Sequence, residues 1–223
     1  MFVGHYGPAF AAKPAQKQVP LWLLFVAVQW MDFCWAALVL LGVEKARIVP
    51  GFAEGSSMDL YYMPYTHGLI GASVLALAFG VVVAQFFPGR KALTTAVLAG
   101  AVFSHWLLDL IVHVRDLPLI GDTMKVGFGL WHHVAISLPL ELLILVAGAV
   151  IYDRGVPSGI AGRIALSVFV AVLAAFQVYA NLRAAPPTPQ AEAAIALGAY
   201  VVLALIAGGV EATRRIGRKG AVS

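Results

Sequence analysis

The chain has 223 residues, 61% of them apolar and only 12% charged, with a formal net charge of +4. A soluble domain of this size would lack the polar surface to cover itself, so the composition excludes one and points to a membrane protein. The basic excess then reads as topology and contact with anionic head groups, which makes membrane lipids the expected partner and leaves no case for nucleic acid.

The first 20 residues lack the order of a cleavable signal, because Pro8, Pro14 and Pro20 interrupt them and Lys13 and Lys17 follow the apolar stretch instead of preceding it. Residues 1–12 are apolar but too short to span, which predicts a re-entrant or interfacial half-helix, with Gly7-Pro8 suited to its first turn. If the segment dips into the bilayer to line a cavity, His5 goes with it. If it lies flat on the surface, His132 or a water takes that place.

A span needs about 20 residues to cross ~30 Å of hydrocarbon. Six windows qualify, at 21–43, 66–87, 92–114, 129–152, 162–182 and 191–210. The expected fold is therefore all-α, a polytopic membrane helical bundle forming one integral domain over 1–223. With the N-terminus inside, ten basic residues fall on the inner side: Lys13, Lys17, Arg90, Lys91, Arg154, Arg163, Arg214, Arg215, Arg218 and Lys219. Five fall outside: Lys45, Arg47, Arg115, Lys125 and Arg183. That bias predicts an inner (cytoplasmic) bacterial membrane with both termini cytoplasmic. The basic tail after Glu211 reads as a solvated anchor.

The first span carries Asp32 near mid-depth and the lone Cys34, which rules out an intramolecular disulfide and any multi-cysteine metal site. The loop 44–65 is long for a turn and reads either as a lid over an outer cavity or as solvated surface, while Tyr61, Tyr62 and Tyr65 suit an aromatic belt. His67 opens the second span. The third contains the run Ser104-His105-Trp106-Leu107-Leu108-Asp109, followed by His113. A central Asp costs roughly 2.5–3.5 kcal/mol on the insertion scale, so something must offset it.

His105 and Asp109 are four residues apart and share a helical face, so both can bind one ion. His113 lies about 12 Å along a straight helix from His105, too far for both to ligate one metal, and reads as rim or as partner to Asp116. In the fourth span Glu141 is near mid-depth, where it serves either as a general base or proton carrier or as a partner for carbonyls freed by a kink at Pro139. Glu141 and His113 are the candidate catalytic groups. His132 and His133 sit at an interface, and one of them is expected to be solvated. The last two spans carry little chemistry: Gln177 and Asn181 read as interhelical bonds, and residues 184–190 as a short stiff loop.

Imidazole nitrogen with carboxylate oxygen suits a divalent transition metal, zinc, manganese or iron, and a metal would keep Asp32 and Asp109 ionised in a low-dielectric setting. Gly4-His5, the Asp of the first long span, Tyr-Thr-His-Gly at 65–68 and Ser104-His105-x-x-x-Asp109 together resemble the bacterial inner-membrane family of metal-dependent hydrolases, the YdjM-like or LexA-binding group. The resemblance covers roughly the first half of the chain and implies a metal site on His5, Asp32, His67, His105 and Asp109. Asp32 is followed by Phe33-Cys34-Trp35 where the family often has a second acid and a His, so one ion is expected instead of two.

Three function classes fit these residues. The first is a membrane-embedded hydrolase of lipid-like or amphipathic substrates. The second is a small permease or ion or proton carrier using the same cluster. The third is a haem-binding or assembly protein with axial histidines, in which the Asp residues would have no role.

Overall fold

The computed structural model describes residues 1–219, with side chains described through Arg215, so the side chains of Arg218 and Lys219 lie outside the described residues. The described residues form eight α-helices and one small hairpin: α1 Tyr6–Ala12, α2 Leu21–Val28, α3 Trp30–Leu40, β1 Lys45–Ala53, β2 Ser56–Tyr62, α4 Leu69–Ala84, α5 Lys91–Val112, α6 Val134–Gly155, α7 Ile160–Leu182 and α8 Pro189–Lys219. A 3-10 turn, Val3–His5, leads into α1, and another, Leu130–His132, precedes α6. The fold is an all-α bundle of membrane-spanning character.

Helices α5 to α8 are each long and apolar enough to cross a membrane, and α2 with α3 adds a fifth path, bent by 54° at its break. Their outward faces carry exposed Leu143, Val168, Val172 and Leu205, as lipid-facing surfaces should. The predicted span 66–87 is shorter than expected. Its helix, α4, has 16 residues, about 24 Å of rise. The start is lost because residues 63–68 turn back on themselves, with the His67 amide donating to the Met63 carbonyl.

The segment before α2 goes inside. α1 lies against α6 through two facing glycines: a Cβ on Gly148 would stand 2.1 Å from the Gly7 carbonyl oxygen, a contact only a missing side chain allows. Around it Tyr6, Phe10, Phe25, Tyr152 and Phe169 form an aromatic core, with Tyr6 stacked on Phe25 at 4.4 Å. The chain therefore runs from His5 in the bundle interior out to Lys13.

The basic segments gather at the end of the bundle that Lys13 reaches. Lys13 Nζ is 2.7 Å from Glu211 Oε1, Gln16 donates to Thr94 Oγ1, and Arg214 donates to the Val156 carbonyl. The expectation of a solvated tail is corrected in part: Arg214 is buried, 2% exposed, because the α6–α7 turn offers it two carbonyls and Asp153, whereas the Arg215 side chain stays 64% exposed. Met1 also departs from expectation, lying buried in the bundle and away from the basic end.

The opposite end carries the hairpin. The 44–65 segment is neither a plain loop nor a free lid: β1 and β2 pair antiparallel, with Arg47 opposite Asp59 and joined to it by a 2.7 Å ion pair. Residues 126–129 return along the end of α5, where the Phe128 amide donates to the Leu110 carbonyl and the Gly129 amide to the His113 carbonyl. Gly127 is needed there. It has φ of +151° and so little space that a Cβ would meet the Val114 oxygen at 1.9 Å.

Candidate metal centre

Asp109, on the last turn of α5, is the hub of a buried cluster. His105 Nε2 lies 3.1 Å from its Oδ2, His113 Nε2 3.5 Å and His67 Nε2 3.6 Å from the same oxygen, while His5 Nε2 lies 3.2 Å from Oδ1. Asp32, on the first turn of α3, brings Oδ1 to 3.4 Å from His67 Nε2 and 3.5 Å from His105 Nε2. The Met1 nitrogen donates to Asp109 Oδ1 at 2.8 Å. All five ligands expected from the sequence are thus brought together, His5 included.

Three of the histidines are fixed by what their other nitrogen does. His105 Nδ1 donates to the Val28 carbonyl at 2.7 Å, since a carbonyl only accepts. That carbonyl is available because the helix breaks between α2 and α3. His113 Nδ1 is held at 2.9 Å by Asp116 Oδ1. For His67 the reasoning takes one step more: the Thr66 hydroxyl donates its one proton to Glu44 Oε2 at 2.5 Å, so at 2.8 Å it accepts from His67 Nδ1. Buried Glu44 also takes the Tyr65 and Thr66 amides. With each Nδ1 engaged in a hydrogen bond, the three Nε2 atoms are turned toward two carboxylates.

An imidazole nitrogen and a carboxylate oxygen face each other favourably only with a proton or a metal ion between them. The nitrogen–oxygen separations of 3.1 to 3.6 Å are longer than charge-assisted hydrogen bonds, which run at about 2.7–2.9 Å. They do match the edge of a coordination polyhedron: ligand bonds of about 2.0–2.2 Å put neighbouring donor atoms roughly 3.0–3.4 Å apart. His105 Nε2 and both nitrogens of His5 are buried without a hydrogen-bond partner, the mark of donors meant for something else. Asp32, His67 and His105 form one set with ligand atoms within 4.8 Å of one another, and His5, His105 and Asp109 form another. The residues fit a metal.

His113 follows Asp109 by four residues, with its φ of −60° still helical and its amide bonded to the Asp109 carbonyl, so its ring reaches Oδ2 from one turn beyond. The rise of about 12 Å separates the His105 and His113 backbones, while their side chains converge on Asp109 from either side. The expected partnership with Asp116 holds as well. Glu141 is buried on α6, and its Oε2 accepts from the Phe2 amide at 2.8 Å and the Gly4 amide at 3.4 Å. It thereby caps the turn that carries His5, with no bond to a carbonyl near Pro139. His132 and His133 are both exposed and stand outside the cluster.

A cavity of about 500 Å³ opens onto the cluster, touching Asp32, His67, Asp109, His113 and Glu141. Its walls include Trp35, Leu60, Phe176, Ile195 and Ala199, and the hairpin residues 53–58 roof it. Gln177 and Asn181 line it as a bonded pair, Gln177 Oε1 also taking the Val3 amide at 3.2 Å. Arg183 and Glu192, ion-paired, complete the lining.

Tyr200 was not among the residues expected from the sequence. Its hydroxyl donates to Asp32 Oδ2 at 2.8 Å, leaving Oδ1 for the histidines. The signal was there, a single tyrosine amid the Ala, Val, Leu and Ile of 191–210. Glu44 and Thr66 were also missed as supports of His67. Compared with protein-family models, curated proteins and solved structures, the chain matches none.

Proposed function

We propose that the protein is a membrane-embedded, metal-dependent hydrolase acting on a lipid-like or otherwise amphipathic substrate, with a divalent transition ion held by His5, Asp32, His67, His105 and Asp109. Zinc suits this set of imidazoles and carboxylates, and manganese and iron accept the same donors. The observation that carries the reading is the convergence of three histidines, each anchored through Nδ1, on the buried Asp109 and the half-buried Asp32 beside a cavity with apolar walls. The donor types are those that the resemblance to the YdjM-like group implies.

When bound, such an ion lowers the pKa of water to about 7 and polarises a carbonyl or phosphoryl oxygen. The chain's own groups do the rest. Hydrolysis puts the hydroxyl of water on the carbonyl carbon or phosphorus and its proton on the leaving oxygen. Glu141 lines the cavity and is the candidate to take that proton and return it. His113, on Asp109 Oδ2, is assigned to the ion's surroundings. Trp35, Phe176 and Ile195 suit the apolar part of the substrate and exclude water from it.

By the positive-inside rule the end carrying Lys13, Lys17, Arg90 and Arg154 faces the cytoplasm of a bacterial inner membrane, and the hairpin end faces away. A second reading, a small ion carrier, is favoured by the broken α2–α3 path beside the cluster, since discontinuous helices are where carriers bind ions. Elemental analysis of detergent-purified protein beside His105→Ala, followed by turnover assays on lipid esters and phosphoesters, tests both. Stoichiometric metal lost in the variant, with turnover of one substrate class, supports the hydrolase. Metal without turnover, but with ion flux in proteoliposomes, favours the carrier, and no metal ends the hydrolase reading and leaves proton or substrate carriage by the same groups.

A further inference from the structure

His5 and His105 come from opposite ends of the sequence, yet their rings lie stacked with centroids 3.8 Å apart and planes 5° from parallel. Both Nε2 atoms point the same way, one to each oxygen of Asp109: His5 to Oδ1 at 3.2 Å and His105 to Oδ2 at 3.1 Å. A lone pair lies in the plane of its imidazole. For one ion to sit about 2.0–2.1 Å from both nitrogens of a parallel pair, each bond would have to lean roughly 60° out of its ring plane. Stacked rings are therefore poor ligands for a shared ion and good ligands for two ions side by side.

From this geometry we infer that the centre is binuclear, with the Asp109 carboxylate bridging two divalent ions. One takes His105 and His67 through Nε2, Asp32 Oδ1 and Asp109 Oδ2, with His113 beside it. The other takes His5 Nε2 and Asp109 Oδ1 and displaces the Met1 amine that donates to that oxygen at 2.8 Å; Met1 and Asp109 line the cavity, so its remaining positions turn to water or substrate. The inference rests on the metal reading given above and extends it from one ion to two. The ring separation of 3.8 Å falls within the spacing of about 3.5–4 Å between ions in two-metal sites.

The environment of His5 fits the second role. It is fully buried, neither of its nitrogens has a hydrogen-bond partner, and its backbone turn is pinned by Glu141 through the Phe2 and Gly4 amides and by Gln177 through the Val3 amide. A histidine buried at this cost without hydrogen bonds has donors reserved for a ligand. Two bridged ions also narrow the substrate class. Such pairs clamp the attacking and leaving oxygens of an in-line displacement, which directs the search to phosphoesters carrying an apolar chain.

Metal-free protein in detergent is titrated with manganese(II) chloride, bound ions are counted, and the paramagnetic resonance spectrum is recorded. Two ions per chain, with the exchange-coupled spectrum of a carboxylate-bridged pair, are expected for the wild type. His5→Ala should hold one, with the spectrum of isolated manganese. A wild type that saturates at one uncoupled ion overturns the binuclear assignment and leaves the metal reading standing, a result that needs no variant to fold. Binding of no ion at all overturns both. Two coupled ions persisting in His5→Ala would overturn the assignment of the second site to His5.

Discussion

The Tyr200 hydroxyl donates to Asp32 Oδ2 at 2.8 Å, tying the middle of α8 to the first turn of α3 and leaving only Oδ1 of that carboxylate turned to His67 and His105. Outer hydrogen bonds of this kind orient a ligand, and their loss typically lowers metal affinity by about 10–100-fold. Tyr200→Phe keeps the ring packed on Phe2 and Phe33 while removing the bond. The expected result is a drop of about 10-fold in affinity, measured by competition with a chelator of known strength, with stoichiometry unchanged. Affinity equal to wild type would show that Asp32 is not a ligand or does not need orienting.

The relay from Glu44 through Thr66 to His67 makes a sharper comparison. Thr66→Val removes the acceptor of His67 Nδ1 and leaves a buried N–H unpaired, whereas Thr66→Ser keeps the hydroxyl. The valine variant should bind metal about 10–100-fold more weakly and the serine variant close to wild type. If valine binds metal as tightly as wild type, the tautomer explanation is wrong.

Residue types and local spacing were enough to identify much of this centre in advance. His105 and Asp109 share a helical face at any depth, and an ionisable group in an apolar run has to be compensated, so His105, Asp109, Asp32 and His67 could be read directly. The helix count was less legible, because hydropathy measures how far a segment is apolar and cannot see that residues 63–68 fold back to hold His67. The reading of His113 as rim and partner of Asp116 holds, and what axial rise alone could not show is that side chains one turn to either side of Asp109 both reach its carboxylate. The burial of Arg214 depends on carbonyls at Val156 and Gly162, more than fifty residues away, and no local pattern encodes that.

Two glycines hold His5 in place. Any side chain at Gly148 would run into the Gly7 carbonyl at 2.1 Å and push α1 away from α6, and His5 just precedes α1. Gly148→Ala should cost about 1–3 kcal/mol as an overpacking change. It should also weaken metal binding through displacement of His5. Gly100→Ala on α5 meets nothing within 4 Å and serves as the control, expected to be neutral or stabilising by up to about 1 kcal/mol. Thermal unfolding in detergent with metal content measured on the folded fraction checks both. Normal metal binding in a destabilised Gly148→Ala would separate His5 from the centre.

Neighbouring arginines at the basic end should behave differently despite identical chemistry. The Arg214 guanidinium donates to Val156 and Gly162 carbonyls, pairs with Asp153 at 2.9 Å and lies 4.6 Å from the Tyr152 ring centroid, all while buried. Arg214→Gln leaves those carbonyls without their charged donor and should cost about 2–3 kcal/mol. Arg215 pairs with Glu211 at 2.7 Å but is 64% exposed, so Arg215→Gln should change stability by less than about 1 kcal/mol. Neither should alter metal stoichiometry below its unfolding temperature, because both lie at the end of the bundle away from Asp109. Equal thermal stability of the two variants would show that Arg214 is solvated after all, and loss of metal in either would join the basic end to the centre.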